Sequence, residues 1–266
     1  KSKLERSEDI LDQKVASRTI EISESRKDLF ERFESFRSSI SMSIPHEVRT
    51  PLNHILGFSD YLLSASGDIS SEDNKEILTD IRDAGQKLNH LFENYIFYNR
   101  LNTVASNIDE LEKLRKEVVH TTKPLLEGLL KFELSIKERE KDLTLNLIDA
   151  PVAVSNEHFK KIVEELFSNA AKYSEPGTAI HVSSKLDKDA YILTFKDEGR
   201  GMTKNQAEHI EAFVQFDRGT YEQQGLGLGM AIITRIIDIH KGTIKVRSEP
   251  EKGTSVSVGL PLAKVT

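Results

Sequence analysis

Apolar residues return every three, four and seven positions along much of the first hundred residues, and polar ones fill the gaps. Phe36, Ile40, Ile44, Val48, Leu52, Ile55 and Leu62 form one such stripe, the pattern a helix shows when one side faces a core. Upstream, Val15, Ile22, Leu29 and Phe36 hold one strict heptad position, while Arg18, Ser25 and Arg32 make the companion line polar. That combination predicts a marginal coiled coil over 1–30, stable only when its downstream neighbour dimerises. A loop over 66–71 with helix-starting residues precedes a second helix carrying Ile77, Ile81, Leu88, Leu91, Tyr95 and Tyr98. Two long helices across a short loop make an antiparallel hairpin over 31–104. One hairpin has too little core to stand alone, so two are expected to pair as a homodimeric four-helix bundle.

The pattern changes after about Ile108. Leu111 to Leu129 continue as helix with a break or bend expected at Pro124, and Leu143 to Leu147 alternate as a half-buried strand does. A helix is predicted over 157–173 and strands over 179–186 and 190–197. A long glycine-punctuated segment comes next, then a helix at about 226–240 and strands over 243–248 and 254–260. Helices mixed with mostly antiparallel strands predict a two-layer α/β sandwich over 105–266. The fold class is therefore a dimeric helical hairpin followed by an α/β sandwich domain.

Composition narrows the function. Thirty per cent of the 266 residues are charged and the net charge is −6, which argues against a nucleic-acid partner, since such domains carry a basic stripe. There is no cysteine, hence no disulfide framework or thiolate metal site. No apolar run approaches the roughly 20 residues of a membrane helix, and no signal peptide is visible. A cytoplasmic location is expected. The first residue is Lys, so the chain reads as an excised fragment, compatible with an upstream part anchored at the inner membrane.

Chemistry collects in four stretches. In the first helix His46 lies about 200° around from Ile44 and from Val48, so it faces away from the stripe, beside Glu47 and one turn before Thr50. Pro45 and Pro51 bracket it, each removing a backbone donor inside a helix. In the 157–173 helix, Glu165 and Asn169 share a face and offer hard oxygen ligands of the kind Mg²⁺ prefers; Lys172 supplies charge for phosphate, with Tyr173 beside it. Asp197 stands at a strand end before Gly199 and Gly201, a tight turn that lets backbone approach a ligand. Gly225, Gly227 and Gly229 precede an apolar helix, where backbone donors favour anions. Between the glycine stretches, Phe213, Phe216 and Arg218 lie on a segment long enough to form a lid.

Taken in order, His46-Glu47-x-Arg49-Thr50-Pro51, the Asn169 helix, Asp197-x-Gly199-x-Gly201, Phe213 with Phe216, and Gly225-x-Gly227-x-Gly229 resemble the sensor histidine kinases of two-component systems over roughly residues 30–262. The resemblance implies a dimerisation and histidine-phosphotransfer domain followed by an ATP-binding domain of the Bergerat type. It implies that His46 accepts the phosphoryl group of ATP, that Asn169 coordinates Mg²⁺ with Lys172 and Tyr173 near the phosphates, and that Asp197 recognises the adenine amino group. The glycines 199, 201, 225, 227 and 229 would shape and hinge the lid, with Arg218 at the nucleotide. Glu165 sits where many members carry Asn, and it is expected to help hold Mg²⁺. A response-regulator receiver domain would take the phosphoryl group, with Thr50 at the position that orients water for dephosphorylating that partner. A sensor module would lie upstream. The alternative is a nucleotide-responsive dimeric scaffold with weak or no phosphotransfer.

Overall fold

Ser70 caps the longest helix among the described residues. Its hydroxyl accepts from Asp73 N at 3.0 Å, and Glu72 and Asp73 place negative charge in the first turn, two features that favour a helix start. The computed structural model describes residues 47–64, 70–137, 139–203 and 228–263. Residues 1–46, His46 and the expected coiled coil among them, lie outside the described residues, as does 204–227 with Phe213, Phe216, Arg218, Gly225 and Gly227. Helix α1 covers 47–64 and α2 runs Ser71–Ser106. Among the described residues no helix is long and apolar enough to cross a membrane.

Helix α3, Ile108–Leu114, comes directly after, with Asn107 Oδ1 accepting from Asp109 N and Glu110 N. The expected bend at Pro124 takes another form. The helix ends earlier, Val119 pairs with Val152 as an isolated bridge, and α4 starts afresh at Thr122–Lys137. Pro124 thus sits in a first turn, where its missing N–H costs no intrahelical bond.

The sheet has the order β1-β2-β3-β5-β4. Its strands are β1 Leu143–Asn146, β2 Ile180–Asp187, β3 Ala190–Asp197, β4 Thr243–Glu249 and β5 Gly253–Pro261. The β1–β2 pair is parallel and the others antiparallel. β1 departs from the half-buried alternation expected of it: Leu143 is partly covered and Leu145 is exposed. This edge strand is held by its pairing to β2 rather than by burial. Helix α5, Asn156–Tyr173, and helix α6, Leu228–Ile239, supply the second layer. Ile180 and Val182 of β2, Tyr191, Leu193 and Phe195 of β3, and Val258 and Leu260 of β5 are buried with Phe159, Ile162 and Leu166 of α5 and Ile232, Ile233 and Ile236 of α6. Alternation on β2 and β3 turns polar residues to the other face, as a one-sided sandwich requires.

The C-terminal half of α2 also joins that core. Tyr98 and Leu101 are buried within it and Phe97 packs against it. Further up the hairpin Leu52, Leu56, Leu63, Leu78, Phe92 and Ile96 remain exposed.

Candidate nucleotide site

Helix α5 is the scaffold of the site. Ser155 caps it by accepting from His158 N at 3.1 Å, and its apolar side packs on the sheet. That packing fixes the rotation of the helix, so Glu165 and Asn169 fall on one side and Lys172 and Tyr173 at the end. Asn169 is half-buried and Lys172 exposed. The Tyr173 ring has the Lys172 ammonium 5.1 Å from its centroid and the Arg200 guanidinium at 4.9 Å, so two cations lie against one aromatic ring.

Asp197 ends β3 and is buried, with 5% of its surface exposed. Its Oδ1 accepts from Gly199 N at 3.0 Å and Thr254 N at 3.2 Å; Oδ2 takes part in neither bond. Burial raises the pKa of this carboxyl above its ordinary value, opposed by the bonds from Gly199 and Thr254. The carboxylate is therefore held in one orientation through Oδ1.

The glycines around it are required by close approach. A Cβ at Gly199 would lie 2.1 Å from the Tyr173 carbonyl oxygen, and one at Gly201 would lie 1.9 Å from that of Glu249. Gly253, at φ +86°, leaves no room for a Cβ against Asp197 O. Arg200 N donates to Tyr173 O, and Glu251 N to Arg200 O. The Asp197–Gly201 turn is thus wedged between the end of α5 and the β4–β5 turn. Nothing in the local sequence pattern pointed to Gly253, because the contact joins segments more than fifty residues apart.

Glu165 is engaged elsewhere. It is 4% exposed, its Oε1 accepts from Asn94 Nδ2 of α2 at 3.0 Å, and Lys161 Nζ stands at 2.8 Å. Gly229, in the first turn of α6, lies so close that a Cβ there would come 2.2 Å from Oε2. Of the residues expected near His46, Glu47 and Thr50 are exposed on α1, and Pro51 is buried.

Three features have no signal in the sequence pattern. Arg139 is buried at 5% exposure and donates to the backbone around the end of α5. His158 Nδ1 and His240 Nε2 are 2.9 Å apart, both rings buried. Asn94 is the buried polar residue through which α2 reaches Glu165. Arg139 lies in a charged run, 137–142, of the kind that is usually solvated; the two histidines are 82 residues apart. No local pattern announces either.

Asp197 thus offers a fixed acceptor next to glycines that hold side chains out, a surrounding compatible with a planar base carrying an amine. Among the described residues no group of three or more acidic or histidine side chains could hold a metal ion. With Glu165 engaged, Asn169 of α5 is a single oxygen donor, which suits a Mg²⁺ ion that keeps waters and would be carried largely by substrate phosphates.

Comparison with known proteins agrees with this architecture. Residues 37–104 match the family described as His Kinase A (phospho-acceptor) domain. Residues 155–264 match Histidine kinase-, DNA gyrase B-, and HSP90-like ATPase. The chain is 30% identical over 237 residues to Sensor histidine kinase YvrG of Bacillus subtilis (strain 168), covering 86% of this chain and 39% of that protein. It is 28% identical over 236 residues to Sensor protein SrrB of Staphylococcus aureus (strain NCTC 8325 / PS 47), covering 86% and 38%. The chain thus spans less than two fifths of the length of these curated relatives. By fold it resembles Acinetobacter baumannii histidine kinase AdeS, with a TM-score of 0.59, 22% identity, and coverage of 82% of this chain and 98% of that one. A phospho-acceptor hairpin joined to an ATPase domain of this type defines the class of protein histidine kinases. The chain belongs to the sensor histidine kinase family of two-component signalling.

Proposed function

We propose that this chain transfers the γ-phosphoryl group of Mg²⁺-ATP to His46 and then to an aspartate of a response-regulator receiver domain, acting as a homodimer. Asp197 carries the reading. A buried, backbone-pinned carboxylate whose second oxygen lies outside both of those bonds is the acceptor an exocyclic amine needs, and it adjoins the α5 end where Asn169 and Lys172 lie.

An imidazole with a free pKa of about 6.5 is mostly neutral at physiological pH and can attack phosphorus in line. A bond forms between a His46 ring nitrogen and Pγ, the bond from Pγ to the bridging oxygen breaks, and ADP leaves. Glu47 accepts the N–H of the other ring nitrogen, fixing the tautomer and stabilising the cation as the N–P bond forms. A bound Mg²⁺ would supply charge neutralisation at the phosphate oxygens. Asn169 would be the protein ligand to that ion, and Lys172 and Tyr173 would flank the phosphates. Glu165 joins the metal only by exchanging Asn94 and Lys161 for it. Thr50, exposed on α1, orients water for dephosphorylating the partner. A sensor module upstream supplies the signal.

Incubation with radioactive ATP and Mg²⁺ tests the reading. Wild-type chain should gain an acid-labile label and His46→Gln none, with nucleotide binding retained in both. Asn169→Ala should lose the Mg²⁺-dependent part of nucleotide binding. Label persisting in His46→Gln would assign the acceptor elsewhere, and an unlabelled wild type that still binds nucleotide would favour the scaffold reading.

A further inference from the structure

Arg139 belongs to a charged run in which Lys141 is exposed, yet its own guanidinium is inside. Burying a guanidinium is costly unless its donors are used, and here they are. Nη1 donates to Ala171 O at 3.1 Å, Ser174 O at 3.1 Å and Ser174 Oγ at 2.9 Å. Nη2 donates to Glu175 O at 2.8 Å and Thr178 O at 3.0 Å. Nε donates to Asp142 Oδ2 at 2.6 Å, which also accepts from Gly177 N at 3.0 Å. The last carbonyls of a helix lack intrahelical partners and carry the negative end of its dipole; a planar cation with a fixed fork satisfies both needs, and an ammonium cannot copy that fork.

The two pieces of backbone that Arg139 grips are two of the three on which Asp197 rests, the third being Thr254 of β5. On one side is the end of α5. Tyr173, between Ala171 and Ser174, offers the carbonyl that receives Arg200 N and against which Gly199 lies; Gly199 N in turn holds Asp197 Oδ1. On the other side is Thr178, two residues before Ile180, which is the cross-strand partner of Asp197 in the β2–β3 ladder. A shift at either grip moves the carboxylate.

We infer that Arg139 is a positioning residue for base recognition, its guanidinium fixing where the Asp197 carboxylate stands by clamping the end of α5 and the start of β2, two of that carboxylate's backbone supports. The inference rests on Asp197 as the acceptor of the adenine amine. Arg139 touches no nucleotide; it acts through the end of α5 and the start of β2.

The test separates this role from general stabilisation by measuring base discrimination. The affinity of the full chain for Mg²⁺-ATP and for Mg²⁺-purine riboside triphosphate, which lacks the exocyclic amine, is determined by calorimetry well below the melting temperature. Wild type should prefer ATP by at least about tenfold, because the analogue leaves the buried Asp197 acceptor unpaired. In Arg139→Lys the preference should fall to within about threefold, while the affinity for the analogue changes by less than about twofold. Asp142→Asn, which loosens only one side of the clamp, should lose part of the preference and carries the test alone if Arg139→Lys does not fold. Equal weakening of both nucleotides with the preference intact, in whichever variant folds, overturns the inference and leaves Asp197 in place. A wild type that binds both nucleotides equally instead removes Asp197 as the amine acceptor, and the inference with it.

Discussion

Asn94 of the hairpin donates to Glu165 of the ATPase domain across 71 residues of sequence, at 3.0 Å, with both side chains 4% exposed. His90 Nε2 lies 3.2 Å from Asn94 Nδ2 and 3.5 Å from the Glu165 carboxylate, and Lys161 completes the pairing. The glutamate one turn before Asn169 is therefore tied to the hairpin, so the nucleotide site and the phospho-acceptor helices share a polar contact as well as the Tyr98 and Leu101 packing.

Replacing Asn94 with Ala should loosen that junction. A buried carboxylate loses one neutral donor but keeps Lys161, so the expected loss is about 1–3 kcal/mol. Urea unfolding should show it, with faster amide exchange in α6 and in the last turns of α2. Unchanged exchange at both would mean that the apolar packing alone holds the two parts together. Outside the contact, the Arg100–Glu157 ion pair is exposed on both sides, and its removal should cost little.

The buried imidazole pair predicts a pH dependence. Desolvation first, then the Arg100 charge, lowers His158 from 6.5 to about 4; desolvation and then its partner's charge lower His240 likewise to about 4. Both rings are neutral in the folded protein at pH 7 while an unfolded chain binds protons from about 6.5 downward. The folded state holds fewer protons across that window, so stability is full above pH 6.5 and falls as pH drops toward 4. At about 1.4 kcal/mol per unit the first imidazole alone is worth about 3 kcal/mol. His158→Gln should flatten the unfolding free energy between pH 6.5 and 4. A slope as steep as that of wild type would place the titrating groups elsewhere.

Much of the fold was legible because local signals and packing agreed. The 157–173 helix and the 190–197 strand carry a cap, a period and a turn at each end, and α5 and β3 form within a residue or two of those limits. Asp197 and its glycines were legible as a tight turn, because two glycines around one residue permit close backbone approach. What the turn rests on was not. Tyr173 O, Glu249 O and Arg139 are brought there by tertiary packing, and residues meeting across the sheet leave no periodic trace in one sequence. Glu165 shows the converse: its spacing to Asn169 suggests a metal ligand, but spacing cannot say that Asn94 and Gly229 close around it.

Gly201 offers a test of the cradle. At φ +61° it sits in the left-handed region, and an added Cβ would fall 1.9 Å from a backbone oxygen that cannot rotate away. Gly201→Ala should therefore displace the β4–β5 turn and cost more than the roughly 1 kcal/mol of an ordinary glycine replacement. Nucleotide affinity should fall with it, because Thr254, in β5 just after that turn, holds Asp197. Retained affinity in Gly201→Ala would show that the turn can yield without moving the carboxylate.

Pro51 makes the last prediction. It lies inside α1 with its ring buried, four residues after Glu47, so the Glu47 carbonyl receives no bond from it and is crowded by the ring. Such a break costs about 3 kcal/mol in a helix interior, and it falls next to His46 and Thr50. A helix weakened there can bend as the ATPase domain approaches His46. Pro51→Ala restores the bond, so the hairpin should melt at a higher temperature. The bend should become harder, and the ratio of autophosphorylation to receiver dephosphorylation should shift, read by following label on the chain and on a receiver domain in one time course. A stiffer hairpin with an unchanged ratio would mean that bending at Pro51 is not part of the phosphoryl-transfer cycle.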